Sequence, residues 1–178
     1  WRFGGSQNEF TILNDPLGGF YSQHDSRETD AGTIILFDNG QYHDPKISRI
    51  VEYELNEGTM EVELIWSFTH PNEYFSASMG SVQRLENGNT LICWGNITPP
   101  SGSGAIITEV DPDGTIQLEM VYTEVYQSYR VRKSDWEFEI NLERGDLNLD
   151  GLIDIFDIVE TIDYIINGGE QDDVFQLY

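Results

Sequence analysis

The chain has 178 residues, 39% of them hydrophobic and 12% aromatic, which suffices for one ordinary core or for one domain plus a small module. Nine Lys and Arg stand against 32 Asp and Glu, a formal charge of −23 that repels nucleic-acid phosphates and anionic leaflets. No stretch approaches the roughly 20 apolar residues of a membrane span, so neither nucleic acid nor membrane insertion is expected. So acidic a surface is tolerable where carboxylates hold divalent cations, or in salt water where the Debye length is short. The single cysteine, Cys93, excludes an intrachain disulfide and reads as an inert strand residue.

From the first residue, Trp1, to about residue 140, short alternating runs rich in aromatic and β-branched residues predict strands. They are Thr33 to Phe37, Ile50 to Leu55, Met60 to Phe68, Thr90 to Trp94, Ala105 to Val110 and Thr115 to Tyr122. Between them stand Asp38-Asn39-Gly40, Asn87-Gly88-Asn89 and Asp111-Pro112-Asp113-Gly114, residues that accept positive φ or bond their own backbone, so consecutive hairpins follow.

The pattern repeats. Arg27 matches Arg84 and Thr33-Ile34-Ile35 matches Thr90-Leu91-Ile92, both 57 residues on, as do Ile50 with Ile107 and Glu52 with Glu109; Thr59 matches Thr115 at 56. Four short strands repeated at this interval are how a β-propeller blade reads in sequence, with a β-sandwich of chance-similar hairpins as the alternative. The expected fold is all-β: a partial β-propeller of about two complete four-stranded blades, flanked by strands at Trp1 to Phe3, Phe10 to Leu13 and Tyr129 to Val131. Fewer than three blades leave a sheet face and strand edges to be covered, so the expected partners are further blades of a longer chain or other copies of this one.

From about Arg144 the composition turns to aspartate and isoleucine. A twelve-residue calcium loop places oxygen ligands at its positions 1, 3, 5, 7, 9 and 12 and glycine at 6. Here these are Asp146, Asn148, Asp150, the carbonyl of Leu152, Asp154 and Asp157, with Gly151 at the turn, so Ca²⁺ is the expected cofactor. Ile155, Ile158, Val159, Ile162, Ile165 and Ile166 follow at helical spacing and stop at Asn167-Gly168-Gly169. The expected organisation is therefore blades over 1–140, a linker over 141–144, and a small helical calcium-loop module over 145–178.

Trp1-Arg2-Phe3-Gly4-Gly5, Gln23-His24-Asp25, Thr33 through Gly40, Ser48 through Tyr53, Met79 through Arg84, Asn87 through Gly95 and Thr108 through Asp111 together resemble the arylsulfotransferase family over residues 1 to 136. The resemblance implies a six-bladed propeller of which this chain would be the C-terminal half. It also implies sulfate transfer between phenols, without a nucleotide donor, through a sulfated histidine in the central funnel. Residues 145 to 167 resemble one type I dockerin repeat, whose calcium loop ends in Asp as it does at Asp157, and Asp172 to Tyr178 resemble the linker to a second. That likeness implies a cohesin-like partner. Ile155 and Phe156 stand where cellulosomal dockerins often carry small hydroxyl residues, which makes an intramolecular or self-association contact equally plausible.

By the family resemblance His24 is the candidate catalytic residue, against the reading of a hydrogen-bonded histidine that orients a turn through Asp25. Its counterpart 57 residues on is Ser81, and Gln41-Tyr42-His43 follows Asp38-Asn39-Gly40 where active bacterial members carry a sulfate-binding arginine. Arg27 and Arg49 suit structural roles, His43 and His70 read as loop residues, and Trp66 and Trp94 as core. Asn96-Ile97-Thr98 is a glycosylation sequon, making Asn96 a candidate glycan site. The thin catalytic inventory favours a secreted or cell-surface, calcium-binding protein for binding, attachment or assembly. The alternative is a nucleotide-independent aryl sulfotransferase.

Overall fold

Alternation with period two lets each strand present one apolar row to each side of a sheet, and both rows of the first sheet here are apolar. The computed structural model describes residues 1–97, 104–122, 126–134, 145–146 and 152–167. The chain divides into two compact units, Trp1–Ser134 and Asp135–Tyr178. The first is β-rich: β1 (Thr11–Leu13), β2 (His24–Glu28), β3 (Ile34–Asp38), β4 (Arg49–Asn56), β5 (Glu61–Phe68), β6 (Ser81–Arg84), β7 (Thr90–Trp94), β8 (Ile106–Val110) and β9 (Ile116–Val121). One sheet runs β1-β5-β4-β3-β2 and the other β6-β7-β8-β9. Both are antiparallel meanders, except that β1 joins β5 in parallel, an addition that alternation does not foretell.

The two sheets share a core. Ile35, Phe37, Ile50 and Phe68 from the first sheet pack with Val82, Ile92, Trp94, Ile106 and Val110 from the second, and Trp94 is fully buried. Each large aliphatic side chain buried this way stabilises by about 1.5–3 kcal/mol. On the other side of the first sheet Leu36, Val51, Tyr53 and Val62 meet Phe10 and Phe20, with Phe3 partly buried against them. Residues Trp1 to Phe3, expected as a strand, are not one: the Phe3 ring instead packs edge-on against Phe10, Phe20 and Tyr53.

Register corrects the repeat. Ile35 pairs with Glu52 and Leu91 with Glu109, so if β4 and β8 correspond at 57 residues, β3 and β7 correspond at 56. The two connections differ by one residue, between Asp38 and Arg49 in the first sheet and Trp94 and Ile106 in the second. On this alignment Arg84, opposite Thr90, takes the rung of Glu28 rather than that of Arg27. A bulge between His24 and Arg27 restores the 57-residue spacing upstream: His24 lies opposite Phe37, and Ser81 lies opposite Cys93.

Tyr129 to Val131, also expected as a strand, forms none. The segment is tied along β6 by side chains, Ser81 Oγ accepting from the Val131 amide (3.0 Å) and Gln83 Oε1 from that of Lys133 (3.0 Å). It covers Cys93, which is fully buried and lies 3.7 Å from the Ser128 carbonyl. Burial pushes that thiol's pKa up.

In the second unit the described residues form one helix, α1 (Ile155–Asn167). Among the described residues no helix is long and apolar enough to cross a membrane.

Candidate functional site

The turn after β3 builds the site. Asp38 Oδ1 accepts from the Gly40 amide at 2.9 Å, closing the turn the sequence predicts. Gly40 has φ +64°, and a Cβ there would fall 1.8 Å from the Ile47 carbonyl oxygen, so only glycine fits. Asn39 is thereby held fully buried, its Nδ2 donating to the carbonyls of Ser76 (2.8 Å) and Met79 (2.9 Å). Its Oδ1 meets Nδ1 of His24, at the start of β2, at 2.7 Å.

The bulge that follows His24 puts Asp25 at φ 52° and buries its carboxylate at 3% exposure. Arg132 donates to both its oxygens at 2.8 Å, Arg27 Nε to one at 3.1 Å, and the Val82 amide to the other at 3.0 Å; Arg130 stands 3.5 Å away. Burial raises the Asp25 pKa, but the bonds from Arg132, Arg27 and Val82 outweigh it and hold the carboxyl below its ordinary value. Three of the nine cationic side chains thus gather on Asp25, while the Tyr129 ring stands edge-on to the His24 imidazole with centroids 6.4 Å apart.

A second polar cluster joins the facing ends of β3 and β4 to the loop after β1. Arg49 forks onto Asp15 with two bonds of 2.9 Å, donates through Nε to Asp38 at 3.0 Å, and caps the Gly19 carbonyl at 2.7 Å. His43 donates to the same Asp38 oxygen at 2.8 Å and is 6% exposed, so it is a buried loop residue. Tyr53 gives its hydroxyl proton to Asp15 at 2.6 Å; burial and that carboxylate push its pKa well up. His70 is likewise a buried loop residue, stacked 4.3 Å from the Tyr74 ring and bonded to Glu119 at 2.7 Å.

The model of the arylsulfotransferase (ASST) family matches residues 13–130, from the end of β1 through both sheets to Arg130. The chain belongs to the arylsulfotransferase family. No curated protein matches it. The match takes in His24, Asp25, Arg27, Asn39 and Arg130, and stops just short of Arg132.

Within this arylsulfotransferase domain, Ser81 holds the rung of His24 in the second sheet and spends its hydroxyl on Val131, so one of the two equivalent rungs carries an imidazole. The sequence singles out His24 but not its partner Asn39, nor Arg130 and Arg132, the partners of Asp25. Trp94 is core, as expected. Trp66 is only half-buried, with the Arg84 guanidinium 4.2 Å over its ring and its indole N–H bonded to the Pro112 carbonyl. Asn96 donates to Ser78 Oγ at 3.0 Å and accepts from Gln127 at 3.1 Å; Thr98 of its sequon lies outside the described residues.

The residues expected from sequence to form a calcium loop lie beyond the family match. Asp154 accepts from the Phe156 amide at 2.8 Å while Asp157 accepts from the Asp154 amide at 2.7 Å, a reciprocal cap on the first turn of α1. Asp146 and Asp157 are buried, at 2% and 3% exposure, and Leu152 is exposed. Asn148 and Asp150 lie outside the described residues.

Proposed function

We propose that the arylsulfotransferase domain moves a sulfuryl group between phenols through His24. The observation that carries this reading is the pairing of His24 Nδ1 with Asn39 Oδ1 in a family member, with three arginines held on the next residue, Asp25. In the first half-reaction the Nε2 lone pair attacks the sulfur of an aryl sulfate, the S–O bond to the ring breaks, and the phenolate leaves and takes a proton from water. In the second, a phenol that has lost its proton to water attacks the sulfur, and the N–S bond returns its electrons to Nε2. Arg27, Arg130 and Arg132, gathered on the adjacent residue Asp25, are the cations this reading assigns to the sulfuryl oxygens. Incubation with a nitrophenyl sulfate, followed by mass spectrometry of the peptide containing His24, tests this. A sulfuryl adduct that His24→Gln abolishes is expected, and an unmodified peptide overturns the reading.

The same domain is read as part of a β-propeller, its partners being further sheets of the same kind from a longer chain or a second copy. The support is the rung-by-rung correspondence of the two stacked meanders and the exposure of Leu118 and Met120 on β9.

A second reading concerns the C-terminal unit, proposed as a calcium-binding attachment or assembly module of a secreted or cell-surface protein. What supports it is spacing: Asp146, Asn148, Asp150, Leu152, Asp154 and Asp157 stand at the positions from which a twelve-residue loop offers oxygens to a divalent cation, with Gly151 at the turn. Ile155, Phe156, Ile158, Val159, Ile162, Ile165 and Ile166 are all exposed on α1, which supports a contact with a cohesin-like protein or another copy.

A further inference from the structure

We infer that Asn39 is the positioning residue that fixes the tautomer of His24, leaving the lone pair on Nε2. The inference rests on the transfer reading for its purpose but not for its geometry. Both hydrogens of the Asn39 amide are committed to acceptors that cannot donate, the carbonyls of Ser76 and Met79, at 2.8 and 2.9 Å. This settles which end of the amide is oxygen, and that oxygen faces His24 Nδ1 at 2.7 Å. An oxygen that only accepts requires a proton on Nδ1, and a neutral imidazole with Nδ1–H carries its lone pair on Nε2.

The choice of an amide over a carboxylate matters to the chemistry. When Nε2 bonds to sulfur and the aryl oxygen leaves, the ring becomes an N-sulfated imidazolium whose Nδ1 proton stays hydrogen-bonded to Asn39 Oδ1. A neutral amide supports that proton without taking it. The ring therefore remains an imidazolium carrying the anionic sulfuryl group, and the later break of the N–S bond regenerates a neutral imidazole in the same tautomer. Asn39 is able to do this because it is fully buried and held at both ends, with Ser48 Oγ also donating to its main-chain carbonyl at 2.9 Å.

Nitrogen-15 NMR of the full chain labelled at histidine tests the assignment. His24, identified by the loss of its signals in His24→Gln, is expected to show a protonated Nδ1 and an unprotonated Nε2. A proton found on Nε2 of the neutral ring overturns the inference, whatever the activity. In Asn39→Leu, provided its amide spectrum is that of a folded protein, a mixture of tautomers is expected, with the rate of His24 sulfation reduced roughly 10- to 100-fold. A folded Asn39→Leu that keeps a single Nδ1–H form also overturns it. Should the parent show the Nδ1–H tautomer and no sulfuryl adduct, the positioning role stands and the transfer reading falls.

Discussion

Asp38 and Arg49 face each other on one rung of β3 and β4 with their side chains 3.0 Å apart, and the matching rung of β7 and β8 holds Trp94 and Ile106. One sheet thus spends this position on a buried ion pair and the other on apolar core. The pair serves to hold the stretch from Asp15 to Tyr21 on the first sheet, because Arg49 also grips Asp15 and Gly19 while Asp38 accepts from the Tyr21 amide at 2.9 Å.

Arg49→Met should therefore cost about 3–5 kcal/mol, since it leaves the Asp15 and Asp38 carboxylates buried without their cation. Urea midpoints measure it, and a loss below about 1 kcal/mol would count against the network.

The pH dependence has a definite sign. Burial raises the Asp15 pKa, but Arg49, the Tyr53 hydroxyl and the Leu17 amide together bring it below 3.8. A depressed folded value means that the Asp15 contribution is complete above 3.8 and fades as pH falls below it, through the folded value. Urea midpoints taken from neutral to strongly acid solution should fall in that range for the parent, whereas in Arg49→Met, where burial of Asp15 is no longer offset by the guanidinium, acidification should recover part of the stability lost at neutral pH.

Asp25→Asn should loosen the segment from Tyr126 to Ser134. Asn tolerates the φ of 52° at this position, yet it lacks the charge that gathers Arg27, Arg130 and Arg132. Weakening this anchor by about 1.4 kcal/mol raises the open population tenfold. Cys93, covered by this segment, reports the opening: its labelling by a thiol reagent should speed up by about that factor, and an unchanged rate would show that the cover is held elsewhere.

For the C-terminal unit, Asp154→Asn separates the helix cap from the proposed ion. Asn caps a helix about as well as Asp, so helicity without calcium should hardly change, whereas calcium affinity should drop because a charged ligand is gone. Asp150→Ala should be severe for binding. Far-UV circular dichroism during calcium titration and chelation gives both quantities, and a spectrum indifferent to chelation in the parent would remove calcium from this unit.

Local chemistry made the hairpins legible. β3, β4, β7 and β8 follow from alternation, and Asp38-Asn39-Gly40 from the demand for positive φ, because both depend on residues a few positions apart. His24 could be singled out by its motif, Trp94 could be placed in the core by strand periodicity, and Cys93 could be placed within a strand.

Composition and near-neighbour spacing thus determined that the chain is β-rich, repeated and acidic, with an aspartate-rich loop before a helix. Which polar groups meet was decided by tertiary structure alone. Asp15 reaches Arg49 across 34 residues, and Asp25 reaches Arg132 across 107. The one-residue change of offset shows only in strand pairing, because matching letters can be aligned in either register while cross-strand partners cannot. The tautomer of His24 was decided at the same level, since it depends on where two distant carbonyls, those of Ser76 and Met79, hold the amide of Asn39. Strand and turn preferences act along the chain, but a buried charge or a ring proton is set by whatever the fold brings within about 3 Å of it.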